Sequence, residues 1–355
     1  MTEPAMRDPI CGMEVDSEDF GFEYEGKKNL FCSLGCLDRF KSQHKDYLEK
    51  HMYDLVIIGG GPAGLTAAVY VSVQQIDTIL LAKDIGGQAI DSTKIKNYMG
   101  FDFISGPDLV RKFSDQFLHK HYLDHCIDEV VNINRADDSL EILTRAKRRL
   151  RTRATIVASG MKRRKLGIPG EERLQRRGIF YRMVHDIPRL PDSVVAVVGG
   201  GNSAVQTAND LKGMGCEVIL LSKGNLIADQ SDIDVLRGSE RVEILERYDV
   251  VEIKGEDKVE GIVIQTDDGK ERREARCDGV FIQVGFTPNT EFCQDLVGLN
   301  ERGEIIIGPD CSTNVAGVFA CGDAANSFGK RIIIASGEGA KAALSAKDYL
   351  LKKRR

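Results

Sequence analysis

Three cysteines near the start of the chain have a spacing that suits metal chemistry. Cys11 lies in the run DPICGM, and Cys32 and Cys36 lie in the run FCSLGC, which places Cys32 21 positions after Cys11. Positions i and i+4 of a helix share one face, so Cys32 and Cys36 are predicted to project together from a helix, with Cys11 converging from a loop. Three soft thiolates suit Zn²⁺, Cu⁺ or another thiophilic ion. The sequence therefore predicts a metal site at these cysteines.

Two glycine-rich turns could each hold the phosphates of a dinucleotide. The apolar run at 53–58 leads into GGGPAG at 59–64, and the run at 193–198 leads into GGGNSA at 199–204. In a strand–turn–helix unit, the first glycine permits the tight turn, the second lets a pyrophosphate approach, and the third small residue lets helix and strand pack closely. The helix N-terminus then favours negative charge. Two such motifs, 140 residues apart, predict two nucleotides bound face to face.

The elements that position these residues predict an α/β protein with several domains. A chain of 355 residues with 42% hydrophobic and 29% charged residues is ordinary for a globular protein with two or three cores. The net charge of −5 argues against a nucleic-acid-binding role for the whole protein. No apolar run approaches the roughly 18–20 residues of a membrane span, and no secretory signal is recognised. We therefore expect a cytoplasmic protein with no membrane partner.

The remaining cysteines and a histidine-rich stretch are predicted to have structural roles and no chemical role. His119, His121 and His125, with Lys120, are expected to lie on the surface of a helix. Six cysteines are expected to be buried small hydrophobic residues rather than reactive thiols. These are Cys126, Cys216, Cys277, Cys293, Cys311 and Cys321.

From about residue 52 onward the chain resembles the low-molecular-weight thioredoxin reductase-type flavoproteins. Besides the two glycine turns, the resemblance is carried by GGQ at 86–88, by Asn97, by GVFACGD at 317–323 and by IIIASGEGAKA at 332–342. The C-terminal third is similar to the flavoprotein component of alkyl hydroperoxide reductase. The resemblance implies a homodimer in which each chain has two Rossmann-like domains, a split FAD domain at 49–161 and 285–355 and an inserted NAD(P) domain at 162–284.

The same resemblance assigns binding residues to both nucleotides. Those expected to hold FAD are Gly59, Gly61, Pro62, Ala63, Gly64, Gly87, Gln88, Asn97, Gly322, Asp323, Lys330, Arg331 and Ile332. Those expected to hold the nicotinamide nucleotide are Gly199, Gly201, Asn202, Ser203, Ala204, Ser222 and Lys223. Relatives specific for NADPH carry an arginine cluster where this chain has only Ser222 and Lys223, so NADH is favoured and NADPH stays open.

One expected motif is replaced in this chain. The segment from Gly178 to Gly201 has the 24-residue length of the family's segment, so Arg182 and His185 occupy the positions of the family's Cys-x-x-Cys pair. Asp186, the acid that follows the pair in the family, is retained. His185 and Asp186 are therefore catalytic candidates, either as a proton donor to a reduced acceptor or, for His185, simply as a filler of the space that the disulfide leaves.

Residues 1–48 resemble a YHS (TRASH-like) module, an α+β unit linked with heavy-metal handling. Such a small core gains stability from a bound metal or from docking. The alternatives are a structural zinc site, a metal-free docking module, or a redox pair of Cys32 and Cys36 that replaces the disulfide missing from the flavoprotein domain. A helix holds i and i+4 Cα atoms at the long edge of disulfide geometry, which weighs against the redox pair.

Together these features predict an FAD-dependent NAD(P)H oxidoreductase with a fused metal-binding module. Its electron acceptor is a metal or thiol at that module, or an external thiol protein, carrier or dioxygen. One alternative is a ferredoxin or flavodoxin reductase, which fast and salt-sensitive reduction of such a carrier would indicate. Another is a flavin-bearing metal or redox sensor, which negligible turnover with a metal-dependent change of shape would indicate.

Overall fold

The computed structural model describes most of the chain and divides it into two compact units. The described residues are 7–10, 13–15, 19–24, 27–33, 36–37, 40, 52–92, 94–118, 123–181 and 192–353. The first unit comprises residues 1–161 and 288–355, and the second comprises residues 162–287. The second unit is therefore inserted in the sequence between the two parts of the first unit.

Strands dominate the described residues, and the helices are few. The strands are β1 Gly21–Tyr24, β2 Lys27–Leu30, β3 Tyr53–Gly60, β4 Thr78–Ile85, β5 Leu123–Ile127, β6 Val130–Ala136, β7 Ser139–Thr144, β8 Arg149–Val157, β9 Met161–Arg163, β10 Ile179–Phe180, β11 Val194–Val198, β12 Glu217–Ser222, β13 Val242–Glu246, β14 Tyr248–Lys254, β15 Gly261–Thr266, β16 Arg272–Arg276, β17 Gly279–Ile282, β18 Phe286–Pro288 and β19 Val318–Ala320. The α-helices are α1 Pro62–Val73, α2 Gly106–Leu118, α3 Asn202–Gly213, α4 Gln230–Arg237 and α5 Ile332–Lys353. Short 3-10 helices span Gly87–Asp91, Glu291–Cys293 and Gly322–Ala324.

The first unit is built on a sheet whose central strands are parallel. The order is β5-β4-β3-β8, and the C-terminal half of β8 also pairs in parallel with β19. Strand β3 is buried on both faces: Leu55 and Ile57 pack beneath helices α1 and α5, and Val56 and Ile58 pack on the opposite side. A strand that is covered on both faces has a nearly continuous run of apolar residues, and β3 has such a run. The antiparallel hairpin β6–β7 extends from the N-terminal half of β8.

The second unit repeats this plan on a smaller scale. Five parallel strands lie in the order β10-β17-β11-β12-β13, with β11 and β12 joined through α3. A separate antiparallel sheet contains β14, β15 and β16. Both units thus place a glycine-rich turn between a central parallel strand and a helix, and the prediction of two Rossmann-like folds is confirmed.

The prediction for the histidine-rich stretch was wrong where it can be examined. Helix α2 ends at Leu118, and His125 is buried within β5, where it lies opposite Leu80 of β4. The parallel neighbour β4 draws this segment into the sheet, and that long-range pairing overrides the local tendency toward a helix. His119, Lys120 and His121 lie outside the described residues.

Candidate functional site

The first glycine turn has the geometry of a phosphate cradle. Gly61 is the extended N-cap of α1, and Pro62 is the first helical residue, which fits because that position needs no hydrogen-bonded N–H. A methyl group added at Gly61 would meet open space, whereas one added at Gly64 would overlap the carbonyl oxygen of Gly59. Gly64 therefore serves helix packing, and Gly61 leaves room at the positive end of the helix dipole.

Two further turns come to the same helix end from neighbouring strands. Gly87, after β4, lies close enough to Gly61 that an added methyl group would be 3.1 Å from the Gly61 Cα. Gly322, after β19, adopts a positive φ of 70°, and a methyl group there would be 2.9 Å from the Cβ of Ala63. Ligands of open α/β sheets bind outside the carboxyl ends of parallel strands, and these turns lie there.

The remaining residues expected to bind FAD are placed around these turns. Gln88 donates its amide to the carbonyl oxygen of Met161 at 2.7 Å. Asn97 is exposed in a loop closed by the backbone bridge between Ile95 and Ile104, and Ile332 at the start of α5 packs on that bridge. The structure therefore brings the loop of Asn97 and the start of α5 together.

Lys330 holds the turn at Gly322 in place. Its ammonium donates to the carbonyl oxygens of Asp323 (3.1 Å) and Ala325 and lies 2.9 Å from a carboxylate oxygen of Glu304. Burial alone would raise the pKa of Glu304, but hydrogen bonds from Asn300 and Lys330 outweigh it and the pKa is lowered. These contacts use the three N–H donors of the ammonium, so Lys330 acts here on the turn. Arg331, beside it, is exposed.

Asp323 is a carboxylate held in an unfavourable environment. Burial raises its pKa, and the nearby Glu338 raises it further, while Lys330 and Arg331 oppose the shift. Glu338 also accepts the backbone N–H of Gly322 at 2.7 Å, which ties helix α5 to the turn. Acids whose pKa is raised in this way cluster at functional sites, where the environment is arranged to shift the pKa of the groups that act there.

The second glycine turn repeats the first. Gly199 has φ 141°, and a methyl group there would overlap the carbonyl oxygen of Gln283. Gly201 is the extended N-cap of α3, with open space where a methyl group would project. Asn202 accepts the backbone N–H of Asp229 at 2.9 Å, Ser203 is exposed, and Ala204 is buried. The cradle at α3 therefore has room for a phosphate in the same place as the cradle at α1.

Ser222 and Lys223 differ in what they can offer a ligand. Ser222 is buried at the end of β12, with its hydroxyl so close to the Gly200 backbone that a methyl group at Gly200 would overlap it. Lys223 is exposed, and its ammonium lies 2.7 Å from a carboxylate oxygen of Asp249. The only cation among the residues expected to bind the nicotinamide nucleotide is thus an ion-pair partner.

The N-terminal residues bring two thiols and a carboxylate together. The sulfur atoms of Cys32 and Cys36 are 3.7 Å apart, and a ligand atom of Asp8 lies within 4.8 Å of both. Asp8 is only 1% exposed, and its carboxylate accepts the backbone N–H groups of Ile10 (2.7 Å) and Cys32 (2.8 Å). Among the described residues this is the group that could hold a metal ion. Cys11 lies outside the described residues.

The two cysteines do not share a helix face as the spacing predicts. Ser33 accepts the N–H of Cys36 on its hydroxyl (3.2 Å) and that of Leu37 on its carbonyl (3.1 Å), which makes Ser33 the N-cap of the helical turn. Cys32 therefore precedes the helix, and the β1–β2 hairpin and the packing of Phe31 bring its sulfur to Cys36.

Comparison with known proteins assigns this arrangement to a family. Residues 53–342 match the pyridine nucleotide-disulphide oxidoreductases, and residues 6–51 match the YHS domain. The chain belongs to the pyridine nucleotide-disulphide oxidoreductase family. It is therefore an FAD-dependent oxidoreductase, in a family that uses nicotinamide nucleotides.

This oxidoreductase is similar to curated proteins and to solved structures. The F components of alkyl hydroperoxide reductase from Staphylococcus epidermidis and Staphylococcus aureus are each 35% identical over 344 residues, which is 95% of this chain and 66% of theirs. The thioredoxin reductase structures from Lactococcus lactis (33% identity, TM-score 0.75) and T. acidophilum (28%, 0.72) cover 84% and 86% of this chain and 99% and 100% of their own. The oxidoreductase therefore spans slightly less than two thirds of the curated relatives named here.

Tyr181, the residue before the segment that contains Arg182, His185 and Asp186, is held by a hydrogen bond to a buried acid. Residues 182–191, which include Arg182, His185 and Asp186, lie outside the described residues. Tyr181, just before them, donates its hydroxyl to Glu171 at 2.6 Å, and burial together with this hydrogen bond raises the tyrosine pKa. Glu171 also accepts the backbone N–H of Gly167 at 2.7 Å and is itself buried.

Sequence reasoning missed the acids that accompany the predicted residues in this oxidoreductase. Asp8 is the first residue of the DPICGM run, and Glu338 lies within the run IIIASGEGAKA. Both acids lie in motifs that the sequence analysis uses, but the motifs themselves assign neither acid a role. Asp249, by contrast, lies 26 positions from its partner Lys223, and no local signal links the two.

The cysteines outside the N-terminal module behave largely as predicted. Five are buried, and burial raises the pKa of Cys277 and of Cys293 to about 12 and that of Cys311 to about 11. Cys126 differs: it is half-buried, and Arg148 donates to its sulfur at 2.8 Å. In the described part of the chain, no helix has both the length and the apolar character that crossing a membrane requires.

Proposed function

We propose that this oxidoreductase takes electrons from NADH through FAD to an acceptor that is not a flavin-facing cysteine pair. The observation that carries the proposal is the spacing of the cysteines. No two of the nine cysteines stand three positions apart, so the sequence contains no Cys-x-x-Cys. Two glycine-rich cradles at helix N-termini support electron uptake from a nicotinamide nucleotide through FAD, and the cysteine spacing supports an acceptor of another kind.

The residues of the first unit fit FAD. The N-terminus of α1 and the open position at Gly61 suit a pyrophosphate, and the half-buried Asp323 carboxylate suits an alcohol donor such as a ribityl hydroxyl. When bound there, FAD would supply the hydride-accepting and electron-transferring chemistry. The protein's part is to hold the two nucleotides and exclude competing reactions.

NADH is the proposed nicotinamide nucleotide, bound by the second unit. The cradle at Gly199, Gly201 and α3 would hold its pyrophosphate. Preference for NADH is supported by Lys223, whose charge is already matched by Asp249. A 2′-phosphate is best bound by uncommitted arginine or lysine side chains.

His185 and Asp186 are the proposed proton donors to the reduced acceptor. The proposal rests on their place in the sequence, where the family has the second cysteine and the following acid. An imidazole is the side chain whose ordinary pKa allows it to donate a proton near neutral pH.

The N-terminal module is proposed to bind a thiophilic metal ion through Cys32 and Cys36, with Asp8 and Cys11 as further ligands. For metal–sulfur bonds of about 2.3 Å, two thiolates on a tetrahedral zinc ion lie about 3.8 Å apart. The observed separation of 3.7 Å supports this geometry. An oxygen ligand beside two sulfurs favours Zn²⁺ over Cu⁺, because Cu⁺ prefers sulfur. A zinc ion held by two thiolates cannot be reduced, so the module is proposed as an electron acceptor only when its metal is a reducible ion such as Cu²⁺, and otherwise as the site to which an acceptor docks.

Anaerobic stopped-flow of the FAD-loaded full chain tests the proposal. Mixing with NADH should bleach the flavin within a single turnover, and NADPH should act more slowly. The reduced protein is then mixed with an aromatic disulfide, with Cu²⁺, with a ferredoxin, and with dioxygen. A Cys32→Ser/Cys36→Ser variant should be reduced at the normal rate but should lose reoxidation by the acceptor that uses the module.

Cys126→Ser is the matched control, since it removes another incompletely buried thiol outside the module. Absence of bleaching by either nucleotide would refute the proposal. Rapid reoxidation by ferredoxin that the double serine variant leaves intact would instead show a carrier reductase.

A further inference from the structure

The position that meets the adenosine ribose can be located from the fold of the second unit. In dinucleotide-binding folds, an acid about 20 residues after the glycine turn accepts a hydrogen bond from the 2′-hydroxyl, and a nearby arginine accommodates a 2′-phosphate. Here β12 pairs in parallel with β11 and ends at Ser222. Lys223, the next residue, is 24 positions after Gly199. A cation therefore stands where the choice between the two nucleotides is made.

The loop that follows β12 is surrounded by ion pairs. Glu246 accepts the N–H of Leu226 at 2.7 Å, and Arg247 donates its N–H to the carbonyl oxygen of Gly224 at 3.4 Å, so both adjoin the loop. The pairs are Lys223–Asp249 at 2.7 Å, Arg237–Glu246 at 3.5 Å and Arg247–Asp267 at 2.9 Å. Each cation in this set is matched by an acid, so the set carries no net positive charge.

This charge balance discriminates against a phosphate. Lys223 is 80% exposed, and an exposed ion pair is weak, so its side chain can swing away from Asp249. The carboxylate of Asp249, on strand β14, stays within reach of the same loop and repels a dianionic 2′-phosphate. Toward a 2′-hydroxyl the same carboxylate is a hydrogen-bond acceptor. Ser222 cannot substitute for it, because its hydroxyl is buried against Gly200.

We infer that Asp249 is the residue that makes the second unit select NADH over NADPH, acting across the loop through its pair with Lys223. The inference rests on the proposed function, in which this unit binds the nicotinamide nucleotide. Asp249 supplies from strand β14 the acid that other dinucleotide-binding folds carry at the end of their second strand. Specificity is thereby set by a residue distant in sequence from the glycine turn.

Three variants test this role. Asp249→Asn should raise the ratio of kcat/KM for NADPH to that for NADH at least tenfold. The double variant Asp249→Asn/Lys223→Met should lose that gain, because the gain depends on the Lys223 ammonium, which the loss of the Asp249 carboxylate frees to bind the 2′-phosphate. Glu274→Gln is the matched control: Glu274 forms an exposed ion pair with Lys254, which also lies on β14, and the ratio should not change.

A binding measurement gives a readout that does not need turnover. Calorimetric titration with adenosine 2′,5′-bisphosphate should show tighter binding to Asp249→Asn than to the wild type, and titration with 5′-AMP should show little change. An unaltered preference in Asp249→Asn, or a wild type that already prefers NADPH, would overturn the inference. If neither nucleotide reduces the flavin, the proposed function fails, and the two titrations still decide whether Asp249 selects against the 2′-phosphate.

Discussion

At the scale of single residues, Asp323 is the proposed FAD-binding residue whose ionised form is unfavourable in the fold. Its pKa is raised mainly by burial, so the folded protein holds the proton of this carboxyl more tightly than the unfolded chain does. The contribution of Asp323 to stability is therefore fully present below the ordinary aspartate pKa and is lost as the pH rises through the raised folded pKa. At neutral pH the charged carboxylate destabilises the apoprotein.

Asp323→Asn should consequently leave the neutral apoprotein as stable as the wild type or more stable, while weakening FAD binding. We expect the dissociation constant to rise at least about tenfold, because hydrogen bonds to charged groups contribute about 1.5–3 kcal/mol. Thermal unfolding from pH 4 to pH 8, with and without FAD, measures both effects.

Asp310→Asn should behave in the opposite way. Hydrogen bonds from Ser312 lower the pKa of Asp310, so its charged form stabilises the fold, and that contribution is lost as the pH falls through the lowered folded pKa.

Loss of neutral-pH stability in Asp323→Asn with unchanged FAD affinity would make Asp323 a structural residue instead.

At the scale of elements, the strand–turn–helix unit separates packing from binding within one motif. Gly64 is where helix α1 meets β3, and Gly61 is where the helix end faces open space. The backbone at Gly61 has a φ of −79°, which any residue can adopt. We therefore propose that the glycine at this position serves the ligand and not the fold.

Gly61→Ala should therefore retain the stability of the apoprotein and lose FAD affinity. Gly64→Ala should destabilise the protein by roughly 1–3 kcal/mol or more, because the added methyl group overlaps the Gly59 carbonyl and forces helix and strand apart. Urea unfolding of the apoproteins and flavin fluorescence titration compare the two variants. Equal loss of stability in both would contradict this division of roles.

The same division holds in the second unit, where Gly201 has an extended backbone and faces open space. Gly201→Ala, which should retain FAD, serves as the control for the variants at the first cradle.

At the scale of the whole molecule, a YHS module is joined to an oxidoreductase whose two glycine-rich cradles are formed by other residues. Asp8, Cys32 and Cys36 form their cluster among the first 40 residues, and the cradles are formed by residues beyond 52. Metal affinity should therefore depend on the module alone, while flavin reduction by NADH depends on the two units.

Treating the purified protein with a strong chelator should remove about one metal ion per chain and leave the rate of flavin bleaching by NADH unchanged. Asp8→Asn should weaken Zn²⁺ binding by about 10–100-fold, because it removes either an oxygen ligand or the carboxylate that holds the Cys32 backbone in place. Metal analysis of both proteins after dialysis measures this. Glu14→Gln, at an exposed position of the same module, is the control. Retention of metal by the Cys32→Ser/Cys36→Ser variant would contradict the site.

The sequence alone determined the features that depend on local order. The glycine turns follow from residues within six positions of one another, and the buried strands β3 and β11 follow from continuous apolar runs, so the two Rossmann-like folds could be predicted. The cysteine spacing likewise predicted that Cys32 and Cys36 lie together, although packing and not a shared helix face brings their sulfur atoms within 3.7 Å. The glycine turns and apolar runs are short-range signals, and tertiary packing does not alter them.

Tertiary structure alone decided which charged groups accompany those motifs. Asp8 is brought to Cys32 across 24 positions, Glu338 to Gly322 across 16, and Asp249 to Lys223 across 26. The partner of a charge is chosen by which strands and helices become neighbours, and a single sequence does not encode such neighbours in any local pattern. For the same reason, His125 became a buried strand residue beside β4, although its local sequence indicated an exposed helix.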